Sequence, residues 1–595
     1  LSVEENLRFF ATIFQTTVEA NYDLIRDIYK RHEYGNVILP MTVIKRFNDV
    51  LAPTKEKVLD TYEKVKDLEV HDGFLQTASG YSFYNISKFD FNTLLDDADH
   101  IEQNFRDYLN GFSDNVQDIL ENFKFDGEIT TLAEHNALYE IIREFNKPEA
   151  YLGADKVTTA DMGYVFEDLI RQFSESTNEE AGAHFTSRDI VYLMCDLLVA
   201  EDADSLRTNG VVKTVYDQTM GTSQMLTCME ERVHALDKEA EIICYGQEIN
   251  PFTFGIAKAD MLIRGGDPEN MQFGDTLNAD KFKGYTFDYI ISNPPFGIDW
   301  KREAADVEKE HKLGDAGRFG VGLPQKSDGQ MLFLLNGIAK LKDTGRMAII
   351  QNGSSLFTGD AGSGPSEIRR YIIENDWLDA IVQLPNDSFY NTGIATYIWI
   401  VSKNKPETHR ERILLIDASK CCEARRRPIG NKRVDITESC RNLITQAYSE
   451  YRSAIFTKTL EDKKTVLTCK SKVLDAISLG YNKITVESPA LDDDGNPIVK
   501  KGKPVADTSK RDTESVPLDE DVDAYFAREV LPYRPGAWID KSKTKVGYEI
   551  PFTRTFYEYE ELEPAADIAK RIAAREKVLM EKLQALFGNG GGQNE

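Results

Sequence analysis

The feature that most constrains this chain is a series of short apolar runs, each followed by a stretch of helical period, between residues 211 and 401. The runs 211–216, 241–245, 287–291, 346–350, 378–382 and 396–401 have strand length and are rich in β-branched and aromatic residues. Strands that alternate with helices return in the same direction, because the helix carries the chain back across the sheet. The expected fold is therefore α/β, with a doubly wound, mostly parallel sheet. Ligands of such sheets bind at the carboxyl ends of the strands, so a motif gains weight here when it follows one of these runs.

The flanking regions read differently. Residues 1–155 are expected to form an all-α N-terminal domain, with Ile119 and Phe123, and then Leu138, Ile141 and Ile142, at helical spacing. The sheet is expected to occupy 156–420. Residues 421–595 are expected to form a C-terminal region with a helical extension. Within it, 485–516 is rich in Asp, Lys, Pro and Gly, a surface hairpin, insertion or flexible loop. A helix is expected over 564–587, starting at Pro564 and stopped by Gly588, with Ile568, Ile572, Leu579, Leu583 and Leu586 along one face. Such a face packs on its own domain or reaches a partner.

Composition narrows the function. The net charge of −28 excludes a chain that coats nucleic acid by itself. One stretch runs against that balance: 403–433 holds Lys403, Lys405, Arg410, Arg412, Lys420, Arg425, Arg426, Arg427, Lys432 and Arg433, either a solvated loop or a phosphate contact. The seven cysteines show no C-x-x-C pairing and signal neither zinc nor a disulfide framework, so no metal site is expected. The opening Leu1-Ser2-Val3-Glu4-Glu5 is acidic and leads into no apolar signal segment, and no apolar run approaches the ~20 residues of a membrane span, so a cytoplasmic location is expected.

Five elements carry candidate chemistry. Asn293-Pro294-Pro295-Phe296 directly follows the run 287–291. An exocyclic amine on a nucleobase is a poor nucleophile, since its lone pair is delocalised into the ring. The Asn293 side-chain oxygen and the Pro294 carbonyl can each accept one of its hydrogens, and the prolines stiffen the turn that presents them. Phe296 offers a ring for stacking a flipped base, worth ~1–3 kcal/mol. Asp217-Gln218-Thr219-Met220-Gly221-Thr222 follows the first run, where a glycine-bearing turn lets backbone approach a nucleotide-like ligand. Glu248, with Asn250, follows the second run and suits two ribose hydroxyls. Asp275 and Thr276 follow a further strand-like stretch, where Asp275 can accept from an adenine amine. Phe185 and Thr186 precede an apolar helix and would close over the far end of that ligand. Taken singly, most of these are also ordinary turns and caps; their order along the chain joins them.

These residues, from Gly182 through Asp217, Glu248 and Asp275 to Phe296, resemble the gamma-ordered adenine-N6 DNA methyltransferases. More narrowly they resemble the modification (M) subunit of type I restriction-modification systems. Ile38-Leu39-Pro40-Met41, Lys45-Arg46-Phe47, Phe389-Tyr390-Asn391-Thr392-Gly393-Ile394 and Trp538-Ile539-Asp540-Lys541-Ser542-Lys543 extend the likeness over most of the chain. The resemblance implies a Rossmann-like methyltransferase sheet and S-adenosylmethionine as methyl donor, with Phe185, Thr186, Asp217, Gly221, Thr222, Glu248, Asn250, Asp275 and Thr276 at the cofactor. It implies Asn293, Pro294, Pro295 and Phe296 at the catalytic site and duplex DNA as substrate. It also implies a specificity (S) subunit, a second modification subunit and a restriction/translocase (R) subunit as partners, and no membrane. The alternatives are a catalytically weak structural or sensing subunit, or a methyltransferase acting on an RNA base or a protein glutamine. Gln218 stands where the family has proline, and Ser223 and Gln224 fill positions usually held by smaller residues. Bulkier side chains in a turn that hugs the cofactor predict weaker or shifted binding.

Overall fold

Burial, not amphipathic alternation, shapes the long central helix of the N-terminal layer. In a computed structural model, which describes residues 19–30, 33–177, 186–207, 210–295, 297–390, 392–462, 464–492, 495–500, 502–558 and 564–587, helix α1 (Gly35–Leu51) is buried along almost its whole length. Helices Ile101–Asn110, Asp114–Asn122, Phe125–Glu134 and Leu138–Phe145 share its core, which includes Val37, Ile44, Phe47, Phe105, Ile119 and Ile141. Arg46 leaves α1 to donate to the carbonyls of Leu152 and, at 2.9 Å, Val157. The helical layer does not stop at the expected boundary of 155. Helix Thr159–Thr177 adds Met162, Val165, Phe166 and Leu169 to the same core, because their helical spacing makes an apolar face that this layer covers.

Each of the six apolar runs is a strand. Helix α2 (Arg188–Val199) leads into β1 (Val212–Asp217), α3 (Gln224–Leu236), β2 (Glu241–Glu248), α4 (Pro251–Ile263), β3 (Met271–Phe273) and β4 (Phe287–Ser292). Next come α5 (Gln330–Ala339), β5 (Leu341–Asn352), α6 (Gly364–Glu374), β6 (Leu378–Gln383), β7 (Thr396–Ser402) and β8 (Arg412–Asp417). A hairpin of β9 (Glu423–Ile429) and β10 (Lys432–Asp435) precedes α7 (Glu438–Glu450), β11 (Ala454–Thr459) and β12 (Val466–Asp475). The main sheet has the order β11-β12-β8-β6-β7-β5-β4-β1-β2-β3. From β3 to β5 every pairing is parallel. Strand β7 lies antiparallel between β5 and β6.

The sheet also runs past the expected boundary at 420. Strand β12 pairs antiparallel with β8 and β11 with β12, and Phe456, Leu467 and Cys469 join the core that holds Leu414 and Ile416. Left uncovered, β8 would expose an edge of unpaired backbone groups. That core also takes residues from α2, α3 and α7, while Met347 of β5 meets Gly337 of α5.

Helix α4 belongs to two cores at once. Phe254, Ala257 and Met261 face the sheet, and Ile256, Ala259 and Leu262 join the N-terminal helices.

A second sheet follows, in which β13 (Gly480–Glu487) pairs with β16 (Asp512–Pro517), β17 (Trp538–Ile539) and β18 (Lys545–Tyr548). The polar segment 485–516 contains a small hairpin, β14 (Val499–Lys500) with β15 (Lys503–Pro504). The chain divides into two compact units, Leu1–Ile550 and Pro551–Glu595. The second carries α8 (Ala565–Phe587), on which Ile568, Ile572, Leu579 and Leu583 are exposed; the Leu586 side chain lies outside the description. Among the described residues no helix is long and apolar enough to cross a membrane, and no cluster of side chains suits a metal ion.

Candidate active site

From β1 the chain winds outward to β2 and β3; from β4 it winds the other way, to β5. The carboxyl ends of β1 and β4 therefore border the switch point of the sheet, where a ligand is received. Asp217 ends β1 and Ser292 ends β4. A short relay of polar groups joins them. The Thr219 backbone N–H donates to Asp217 Oδ1 (3.0 Å), and the Thr219 and Ser292 hydroxyls are 3.1 Å apart. The next residue, Asn293, is buried, and its Nδ2 donates to Thr186 Oγ1 at 2.7 Å. This bond fixes the plane of the amide and sets Oδ1 on the side away from Thr186. Thr186 thus links the segment before α2 to the turn after β4. Phe185 and Phe296 lie outside the described residues.

The turn between β1 and α3 depends on two left-handed residues, Gly221 (φ 54°) and Ser223 (φ 66°). The first suits glycine; the second strains a residue with a Cβ by ~1–2 kcal/mol. The Ser223 hydroxyl donates to Asp260 Oδ2 of α4 (3.4 Å). Gly221 N–H donates to Glu248 Oε2 (2.8 Å) and Asn250 N–H to Glu248 Oε1 (2.7 Å), so the acid at the end of β2 ties two turns together. Thr222 stands half-buried beside Gly221. Gly246 lies against the Met220 sulfur, with no room for a Cβ. The Asn250 side chain caps α4, accepting from the N–H groups of Phe252 and Thr253.

The acids feel their burial. It pushes the Asp217 carboxyl up to about 7; the Thr219 N–H opposes this and the nearby Glu248 adds to it. Glu248 is also raised by burial, against the N–H groups of Asn250 and Gly221, and so is Asp275. Two raised acids at neighbouring strand ends suit a ligand that brings a positive charge and hydroxyl donors. Beside them Ile249 and Phe273 are large apolar side chains left exposed.

Several residues that hold the site gave no signal in the sequence. Arg318 donates to the carbonyls of Thr276 (2.7 Å) and Leu277 (3.1 Å), to Asn336 Oδ1 (2.9 Å) and to Glu310, fixing the turn that carries Asp275. Gln247 braces the same loop through the Ala279 carbonyl and the Lys281 N–H. Thr276 donates to the Gln218 carbonyl (2.6 Å). The Gln218 side chain reaches away to α5: its Oε1 accepts from the buried Asn336 Nδ2 (2.7 Å). A cavity of about 250 Å³ lies instead in the N-terminal layer, lined by Lys45, Asn48, Lys55, Asn85 and Tyr108. Lys55 Nζ donates to Asn85 Oδ1, and Asn85 Nδ2 to the Tyr108 carbonyl.

Parallel sheets wound outward from one switch point, with an antiparallel strand set between β5 and β6, are those of the Rossmann-like methyltransferases, and the fold places the chain in that class. Residues 157–487 match the N-6 DNA methylase family, and the chain belongs to that family. Residues 14–145 match the HsdM N-terminal domain. A methylase subunit of the type I restriction enzyme MjaIX from Methanocaldococcus jannaschii is 26% identical over 48% of this chain and 48% of its own length. The HindI methylase subunit from Haemophilus influenzae is 29% identical over 46% of this chain and 57% of its own. The alignments thus span about half the length of these curated relatives. A solved methyltransferase subunit of a type I restriction-modification system from Streptococcus thermophilus shares the fold, with a TM-score of 0.60 and 23% identity, over 75% of this chain and 95% of that one.

Proposed function

We propose that this chain transfers a methyl group from S-adenosylmethionine to the N6 amine of an adenine flipped out of duplex DNA. It would act as the modification subunit of a type I restriction-modification complex in which a specificity subunit reads the sequence. The observation that carries the proposal is Asn293, an amide buried at the switch point and oriented by Thr186. S-adenosylmethionine supplies an electrophilic methyl group on a sulfonium centre. Asp217 would hold the cationic methionine end together with Thr186 and the backbone at Gly221 and Thr222. Glu248 would take the ribose hydroxyls and Asp275, with Thr276, the adenine amine, between the apolar side chains of Ile249 and Phe273. Asn250 contributes by capping α4 and fixing Glu248.

On the acceptor side, Asn293 Oδ1 and the Pro294 carbonyl accept the two hydrogens of N6. This draws the nitrogen out of conjugation and frees its lone pair, while Pro295 stiffens the turn and Phe296 stacks the base. Preorganised acceptors of this kind are worth about two to three orders of magnitude in rate. The exposed apolar residues of α8 support a partner-binding role for that helix. The partners would be the specificity subunit, shared with a second copy of this chain, and a restriction/translocase subunit.

The test is a radiolabelled methyl-transfer assay offering duplex DNA, RNA and protein, run with Asn293→Ala beside the wild type. The expected result is labelled DNA carrying N6-methyladenine, lost in the variant while S-adenosylmethionine still binds by calorimetry. Labelled RNA or protein in place of DNA would reassign the acceptor. Full activity in Asn293→Ala would remove the mechanism.

A further inference from the structure

The hairpin of β9 and β10 gathers positive charge in this acidic chain. Between Lys420 and Arg433 there are six basic residues and one acid, Glu423, in a molecule whose net charge is −28. Two of the six are neutralised locally. Arg425 pairs with Asp435, and Lys432, almost fully buried, donates to Asp189 Oδ2 at 2.9 Å and to the Ser388 carbonyl at 3.0 Å. Lys420, Arg426, Arg427 and Arg433 are exposed and form no ion pair among the described residues. Arg433 follows the buried Lys432 along β10, so the pleat turns it to the opposite face.

Three attachments hold this charge in place. Asp189 lies in the first turn of α2, just after Thr186, the partner of Asn293, and it also accepts from the Ile436 N–H (2.7 Å). The Asn431 N–H donates to the Tyr390 carbonyl (2.7 Å) and the Arg433 N–H to the Asp387 carbonyl (2.9 Å), pinning the hairpin to the loop between β6 and β7. The hairpin is thus anchored on both the segment that orients Asn293 and a loop at the same end of the sheet. A solvated loop would need none of these ties. Planar guanidinium groups suit phosphate, which they can grip with two parallel hydrogen bonds.

We propose that the hairpin is a phosphate clamp, in which Arg426, Arg427 and Arg433, with Lys420, grip the DNA backbone beside the flipped base. The clamp rests on the DNA-methyltransferase reading above. It offsets locally the repulsion between an acidic subunit and DNA, and it fixes the strand while the base is outside the helix. Because the contacts are to phosphate, they would raise affinity for any sequence and carry no base readout.

The test uses the assembly purified through a tag on this chain, a short fluorescent duplex of mixed sequence, and a salt titration with S-adenosylmethionine present. The variant Arg426→Gln/Arg427→Gln/Arg433→Gln should lower the slope of log affinity against log salt by about 2 to 3, at roughly 0.9 per lost phosphate contact. The matching lysine variant should keep most of the slope. Calorimetric binding of S-adenosylmethionine and the melting temperature should not change, since the three side chains are exposed and lie outside the cofactor turns. An unchanged slope, in an assembly that does bind and methylate DNA, overturns the clamp and leaves the enzyme reading intact. A slope change seen with an RNA duplex and absent with DNA overturns it in favour of an RNA-binding hairpin. Failure of the wild-type assembly to bind DNA at any salt overturns the clamp and the DNA reading together.

Discussion

One contact, from Asn293 Nδ2 to Thr186 Oγ1, decides which way the amide faces, and with it which atom can act as acceptor. Thr186→Val keeps the shape and removes the oxygen. Losing a buried hydrogen-bond partner costs about 1–3 kcal/mol, so the single-turnover rate of methyl transfer should fall roughly ten- to a hundredfold. Cofactor affinity, read by calorimetry, should fall by less, since Asp217 and the backbone at Gly221 and Thr222 share the methionine end with Thr186; an equal loss in both would mean that Thr186 acts through the cofactor alone and not through Asn293. Asp217 makes a prediction in pH. In the folded chain its carboxyl holds a proton up to about 7, whereas an unfolded aspartate releases it near pH ~4. Folding therefore takes up a proton in that window. Its contribution to stability is complete below about pH 4 and is lost as pH rises to about 7. Denaturant titrations of the ligand-free chain should show stability declining over that range, with Asp217→Asn flattening the decline. The same decline in the variant would assign the proton elsewhere.

The turn carrying Asp275 shows how an element can depend on a residue remote in sequence. Arg318 holds it through two carbonyls while its own charge is matched by Glu310. Arg318→Ala leaves the half-buried Glu310 and both carbonyls short of a donor and should destabilise the chain by about 1–3 kcal/mol. S-adenosylmethionine binding should weaken in parallel, and Arg318→Lys should restore little, since an ammonium lacks the fork. A thermal-shift series with and without the cofactor reads both effects; binding unchanged in Arg318→Ala would leave the turn standing on its own. This residue also marks what sequence can reveal. The six strands were legible because a strand covered on both faces reads as a mostly apolar run; 396–401 is buried throughout even though it lies antiparallel between its neighbours. The acids were legible as residues following those runs. Arg318 was not, since nothing local distinguishes an arginine that reaches back to Thr276. Nor was the direction of Gln218, which depends on Asn336 of α5. Nor could a local reading show that helix Thr159–Thr177 packs into the N-terminal core or that β11 and β12 extend the main sheet, since those memberships depend on the cores that they complete.

For the molecule as a whole, the telling feature is that α4 has no solvent side to spare. Its inward faces serve the catalytic sheet through Phe254, Ala257 and Met261, and the N-terminal helices through Ile256, Ala259 and Leu262. A boundary drawn from sequence separates these layers, yet the energy does not, because neither core can dissolve without stripping one face of the same helix. Cooperative units of this kind show themselves in native-state hydrogen exchange, where protection reports the free energy of the smallest opening that frees an amide. The central amides of α4 should exchange only through the opening of the entire Leu1–Ile550 unit, and their rates should track denaturant as global unfolding does. The partly exposed helix Lys55–Val65 should exchange earlier, by local opening. If α4 exchanged as quickly, the two layers would be separate foldons that merely touch. If it does not, the end of β2, which carries Glu248, sits on the slowest-opening part of the protein, and a ligand bound there would be felt by every residue that must open with it.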